Sequence, residues 1–219
     1  MPLQNRVTPE GDIVAVPDRG TFLGNRGGCF HKPDQTLGVS RWKSRAWITC
    51  LLRFKNRQRR VMQPNRYTEL FFLDEVTALS AGHRPCFECR RPDAKAFFAA
   101  WESGPADPRV ADMDTVLQAE RVEPPREKRT FEARLGDLPP GAMVLRDGAP
   151  HAIVGSHLLA WSHSGYIRAL PFGAGDIHPV LTPATIIEIL GAGYRPHIHP
   201  SAKALTGTTS FRISGETQS

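Results

Sequence analysis

Cys86 and Cys89 constrain this chain more than any other pair of residues, because two thiolates at C-x2-C spacing can hold one tetrahedral ion at sulfur distances of about 2.3 Å. The residues before them prepare the site. Phe71 and Phe72 close an apolar run, and Asp74 is placed to cap a short helix whose first turn carries Glu75. Gly82 stands where a left-handed residue would end that helix, and Arg84-Pro85 then forms a stiff turn that delivers both cysteines. No apolar leader opens the chain and no apolar run approaches the length of a bilayer span, so a cytoplasmic protein with no membrane partner is expected. In a reducing compartment the four cysteines read as metal or thiol chemistry rather than as disulfides. No βαβ pattern surrounds the pair, which disfavours thioredoxin-like redox chemistry and leaves zinc as the expected cofactor.

Half a site needs partners. Cys29-Phe30-His31 offers two, since alternation along an extended segment points residues 29 and 31 to one face, and with Cys86 and Cys89 they would complete a Cys3His site. The alternative is a small buried Cys29 beside a surface His31. Cys50 competes for the remaining position, but Ile48, Cys50, Leu52 and Phe54 share one strand face, so Cys50 reads as core. The fourth ligand stays open between His31 and Cys50.

The order of strand, short helix, Ala81-Gly82-His83-Arg84-Pro85-Cys86 and then Cys89 resembles the second half of the zinc-binding module of the Ada DNA-repair family. The resemblance covers about twenty residues and implies a zinc-bound module that contacts DNA, with two further cysteines upstream across a small sheet. This chain lacks a second close cysteine pair. In that family one metal-bound cysteine accepts a methyl group. A histidine in the ligand set would make the site less negative and its sulfur less nucleophilic, so a structural zinc is expected here. The chain as a whole also resembles a bacterial family without an established activity that carries Tyr67-Thr-Glu-Leu-Phe-Phe-Leu-Asp-Glu75 and Gly82-His-Arg-Pro-Cys-Phe-Glu-Cys89.

Charge supplies a separate clue. The formal net charge is +6, and residues 41–66 hold Arg41, Lys43, Arg45, Arg53, Lys55, Arg57, Arg59, Arg60 and Arg66 without one Asp or Glu. Two strands, about Arg45 to Phe54 and Arg59 to Met62, would form a hairpin with a cationic tip. Trp42 and Trp47 interleave with the cations and are placed to stack on bases. This composition favours phosphate contacts, with DNA ahead of RNA as partner.

The rest of the chain completes an α+β expectation: a small zinc-stabilised sheet-and-helix module over 1–101, then a β-rich C-terminal subdomain over 141–206. Between them, 102–140 reads as linker with a helix at Val110 to Val122, and 207–219 as a mobile tail rich in Ser, Thr and Gly. Pro92 opens a helix whose Ala94, Phe97, Phe98 and Trp101 should pack on the hairpin sheet. Arg146-Asp147-Gly148 signals a hairpin turn, and Thr182 followed by Pro183 a helix start. Gly193-Tyr-Arg-Pro-His197-Ile-His199 echoes the opening stretch, with His197 where Cys86 stood.

Two functional classes follow. The first is a zinc-binding, nucleic-acid-binding protein linked to DNA repair or regulation. The second is a metal-dependent hydrolase of nucleic acid or nucleotides, with His197 and His199 as catalytic metal ligands beside a carboxylate such as Glu120 or Asp176. A metal-stabilised module that binds a protein partner is a third.

Overall fold

The computed structural model describes residues 1–55 and 60–215. Arg57, Arg59 and the last four positions of the expected tail lie outside the described residues. The amino-terminal sheet has six short strands: β1 (Arg6–Val7), β2 (Ile13–Val14), β3 (Phe22–Asn25), β4 (Ile48–Leu51), β5 (Leu70–Phe72) and, after helix α1 (Glu75–Ser80), β6 (Arg84–Pro85). Their order is β2-β1-β5-β3-β4-β6, with β1–β5 and β4–β6 parallel. Leu70, Phe71 and Phe72 are all buried, because β5 is covered on both faces and its pattern is a continuous apolar run. Val7, Ile13, Phe22, Phe30 and Phe72 pack there against Ala78 and Ala81.

Asp74 caps α1 as its position implies: Oδ1 accepts from the Thr77 amide at 2.8 Å and the Thr77 hydroxyl at 2.7 Å. Gly82 follows with φ +81°, the left-handed stop. Helices α2 (Arg91–Ala99) and α3 (Val110–Arg121) come next, and the apolar face of α2 does not lie on the sheet as expected. Phe97 and Trp101 pack instead against Met113 and Leu117 of α3 and against Ile186, Ile189 and Leu190 of a later helix, α4 (Ala184–Gly191). The sheet has α1 to cover it, so α2 is free to close a separate helical core.

The carboxyl-terminal half begins with a two-stranded ribbon, β7 (Val122–Glu123) and β8 (Glu127–Lys128). A six-stranded antiparallel sheet follows: β9 (Phe131–Arg134), β10 (Met143–Arg146), β11 (Ala149–Val154), β12 (His157–Ser162), β13 (Gly165–Pro171) and β14 (Ile177–Val180), ordered β13-β12-β11-β10-β14-β9. The expected linker over 102–140 therefore contains an edge strand of this sheet, since β9 pairs along its length with β14. The β10–β11 turn is as signalled, with Asp147 at φ +53° and Gly148 at +73°. Thr182 does not cap α4: its hydroxyl accepts from the Met143 amide, and Pro183 takes the cap position.

Residues after Gly207 are not a loose tail as far as Gly215. Beyond β15 (His197–Ile198) and α5 (Pro200–Thr206), strand β16 (Arg212–Ile213) pairs in parallel with β15. Phe211 is 6% exposed and packs with Leu73, Met143, Leu159 and Ile198. Composition alone misleads here, because one buried aromatic outweighs several small polar neighbours. Truncation after Gly207 is expected to lower stability by about 2 to 3 kcal/mol, the value of burying one large apolar side chain. Urea denaturation reads it, and an unchanged midpoint would contradict the packing.

The two halves meet at the start of α1. Asp74 Oδ2 accepts from the Tyr166 hydroxyl and the His199 amide, both at 2.9 Å. Glu75 Oε1 accepts from the Tyr194 hydroxyl at 2.7 Å and pairs with Arg90 Nη2 at 2.7 Å, while Oε2 accepts from the His197 amide at 2.9 Å. Among the described residues no helix is long and apolar enough to cross a membrane.

Candidate metal centre

Strand register brings the third ligand. Strand β4 lies between β3 and β6, with Ile48 opposite Arg84 and Thr49 opposite Pro85. The Cys86 amide donates to the Thr49 carbonyl at 2.9 Å, so the next residues on the two strands, Cys50 and Cys86, fall side by side. The chain then turns tightly toward α2: the Glu88 amide donates to Cys86 Sγ at 3.3 Å and the Arg90 amide to the Cys86 carbonyl at 3.0 Å. This turn carries Cys89 back. The sulfurs of Cys50, Cys86 and Cys89 all lie within 4.8 Å of one another. Three ligands of a tetrahedral ion with bonds of about 2.3 Å stand about 3.8 Å apart, so the three cysteines lie close enough to hold a metal ion.

Their electrostatics fit that use. Hydrogen bonds from the Cys50 and Cys89 thiols, and then from the Cys89 and Glu88 amides, push the Cys86 thiol well below its ordinary value against the pull of burial. Sharing its proton with Cys86 and then Cys89, together with burial, drives Cys50 the opposite way. For Cys89 the Cys50 hydrogen bond lowers, but the bond to Cys86 and burial outweigh it, and the thiol ends raised. A metal ion entering the group must displace the protons that these thiols carry.

Cys29 and His31 are not part of this group, which corrects the Cys3His expectation. Their side chains meet each other, with Cys29 Sγ 3.7 Å from His31 Nδ1. Both ring nitrogens of His31 are already engaged, Nδ1 with the Thr68 hydroxyl at 2.9 Å and Nε2 with the Gln63 carbonyl at 3.2 Å. A ring nitrogen facing a carbonyl must carry hydrogen, so His31 Nε2 has no lone pair for a metal. His31 is 7% exposed and serves the interior. Cys50 takes the missing position. The strand ends at Leu51, short of Leu52 and Phe54, and Cys50 is not sealed core: Cys50 and Cys89 line a cleft with about 110 Å³ of free space, together with Leu52, Phe54, Tyr67, Glu69 and Glu88.

Among the described residues the expected basic hairpin has no second strand. β3 and β6 occupy the two edges of β4, so residues 60–62 have no strand to pair with and adopt turns. The cations remain on the surface nonetheless. Lys43, Arg45, Arg53, Lys55 and Arg60 are exposed, and among the described residues none has a carboxylate within 4.0 Å. Arg41 is half-buried and donates to the Gly38 carbonyl at 2.6 Å. Trp47, at 2% exposure, cannot stack on a base as expected; Trp42 is half-buried, its ring centre 5.6 Å from that of Trp47.

His197 and His199 belong to no group of three candidate ligands within 4.8 Å among the described residues. His199 Nδ1 caps α5 by accepting from the Ser201 amide at 3.3 Å, and the His197 ring lies against Phe22 at 5.7 Å between centres. Glu120 accepts from the Thr185 amide and hydroxyl at the start of α4, and Asp176 from the Gly173 amide. The backbone amides of His197 and His199 donate to Glu75 and Asp74. No protein-family model, curated protein or solved structure matches this chain.

Proposed function

We propose that the protein binds nucleic acid, DNA ahead of RNA, and that a structural zinc held by Cys50, Cys86 and Cys89 fastens the edge that does so. The observation that carries this reading is the juxtaposition of an all-thiol ligand set with exposed cations that, among the described residues, have no carboxylate within 4.0 Å. Arg53 and Lys55 flank Phe54, which lines the same cleft as Cys50 and Cys89. Thiolates select zinc over the harder divalent ions, and the ion would tie β4 to the turn after β6, the frame from which residues 51–55 project. Two of the three thiols open on the cleft, so the fourth position of a tetrahedral ion would be filled from that side.

The Ada-like resemblance points the same way, with Cys50 standing across a small sheet from the C-x2-C pair as an upstream ligand of that module would. The hydrolase reading has no third ligand to support it, since His197 and His199 fall in no group of three candidate ligands within 4.8 Å among the described residues.

Fluorescence anisotropy with DNA and RNA oligonucleotides tests the proposal. Affinity should fall steeply as salt rises from about 50 to about 200 mM, and Arg53→Glu with Lys55→Glu should weaken binding by about tenfold or more and flatten the salt slope by about two. Binding that ignores both salt and the double variant would remove phosphate contacts from this edge and favour a protein partner.

A further inference from the structure

A second polar site lies away from the thiols and shares no lining residue with their cleft. It is a cavity of about 390 Å³ between the amino-terminal sheet, the end of α3 and the β7–β8 ribbon. Arg26, Arg41, Arg121, Arg126 and Lys128 line it with Trp42 and Trp47; Glu10, Asp12 and Glu127 are the acidic members of its wall.

Its floor holds an unusual arrangement of charge. Arg26 and Arg121 are each 2% exposed, and each guanidinium carbon lies 3.9 Å from the ring centre of the buried Trp47. Their hydrogen bonds go to neutral groups. Arg26 donates from Nε to His83 Nε2 at 3.2 Å and from Nη2 to the Gly11 carbonyl at 2.8 Å. Arg121 donates to the carbonyls of Gly82 and Arg45 and to Gln118 Oε1. Lys128 donates to the Ser80 carbonyl at 2.5 Å. Among the described residues no carboxylate lies within 4.0 Å of these three cations, and the buried Nε of Arg121 has no hydrogen-bond partner.

Buried charges are ordinarily paired, because a lone one is costly to desolvate. The strain appears on the titrating groups: burial first, then Arg26 and Arg121, push Lys128 down to about 7, although Glu10 acts against them. Burial first pulls both arginines down, with Arg41 adding to it at Arg26 and Arg26 at Arg121 while Asp12 and Asp114 act the other way, but a guanidinium keeps its proton, so the cluster stays cationic with no carboxylate in contact among the described residues. The lining also holds an exposed Arg126 and a half-buried Trp42.

We infer that this cavity binds the phosphate monoester of a nucleotide, its phosphate among Arg26, Arg121 and Lys128 and its base toward Trp42. A dianion supplies the charge the floor lacks and accepts from several guanidinium and ammonium hydrogens at once. The space exceeds that of an inorganic phosphate, and an aromatic wall suits a base. The same chemistry is offered by a free nucleoside 5′-monophosphate and by the 5′-phosphate end of a strand. The site stands independently of the exposed edge proposed above.

Calorimetric titration of the full chain at constant ionic strength tests it, with AMP, inorganic phosphate and adenosine as probes. AMP should bind more tightly than phosphate and adenosine should give no binding, and Lys128→Met should weaken AMP by about tenfold or more. An oligonucleotide with a 5′-phosphate that binds more tightly than both AMP and its 5′-hydroxyl counterpart, and loses that advantage in Lys128→Met, makes a strand end the ligand. AMP ahead of both strands makes it a free nucleotide. Circular dichroism checks the variant, and if it does not fold, Arg126→Glu at the exposed rim carries the test and should weaken AMP by severalfold. No heat with AMP or phosphate, equal binding of adenosine and AMP, or unchanged affinity in the folded variant would overturn the inference.

Discussion

Cys50→Ser is expected to strip the metal from the purified protein, as are Cys86→Ser and Cys89→Ser, whereas Cys29→Ser and His31→Ala keep it. The contrast follows from geometry. Three sulfurs lie within 4.8 Å of one another across β4 and the turn after β6, while His31 spends both ring nitrogens on Thr68 and Gln63. A serine hydroxyl is a poor ligand for a soft thiophilic site, and two remaining thiols cannot hold the ion firmly. Since metal bound only by the folded state adds directly to stability, each ligand variant should also lose about 3 kcal/mol or more. Elemental analysis gives the stoichiometry, and thermal melts with and without chelator give the energy. Metal retained in Cys50→Ser but lost in His31→Ala would reinstate the Cys3His site.

Glu75→Ala is expected to cost about 3 to 5 kcal/mol although it lies outside the metal group, which would lower the melting temperature by about 10 °C in a chain of this size. Glu75 and Arg90 have fully buried side chains 2.7 Å apart. Burial, the largest influence, pulls Arg90 down, but Glu75, Tyr194 and Asp93 together outweigh it and the guanidinium ends above its ordinary value. Removing the carboxylate leaves Arg90 with Asp93 at 2.8 Å and strands the Tyr194 hydroxyl and the His197 amide. Tyr194→Phe removes one hydrogen bond to the carboxylate and should cost only about 1.5 to 3 kcal/mol. Urea midpoints measure both. A Glu75→Ala loss below about 1 kcal/mol would mean that the halves are held by apolar packing alone.

Local structure was the most legible part of this protein. The Asp74 cap, the Gly82 stop, the Pro92 helix and the Asp147-Gly148 turn each depend on a backbone preference carried by one or two residues, and each stands where the sequence places it. The α+β class and the C-x2-C half-site were legible for the same reason. Errors began where a residue's meaning depended on a distant strand. Cys50 read as core because alternation tells which residues share a face, not what that face meets. Residues 60–62 read as a strand because composition cannot show that both edges of β4 are already taken. The tail read as mobile because Phe211 has no local partner, only Leu73, Met143 and their neighbours far along the chain.

By itself the sequence determined the punctuation of the chain, the presence of a thiol pair suited to a soft metal and a cationic stretch without acids. Only the tertiary structure decided that Cys50 completes the thiol group, that the His-x-His segment is clamped by its backbone, and that Arg26, Arg121 and Lys128 share one cavity. The reason is physical. Caps and turns are settled within about four residues, whereas ligand sets and buried charge clusters depend on register between strands and on helix packing, which close only when the whole core does.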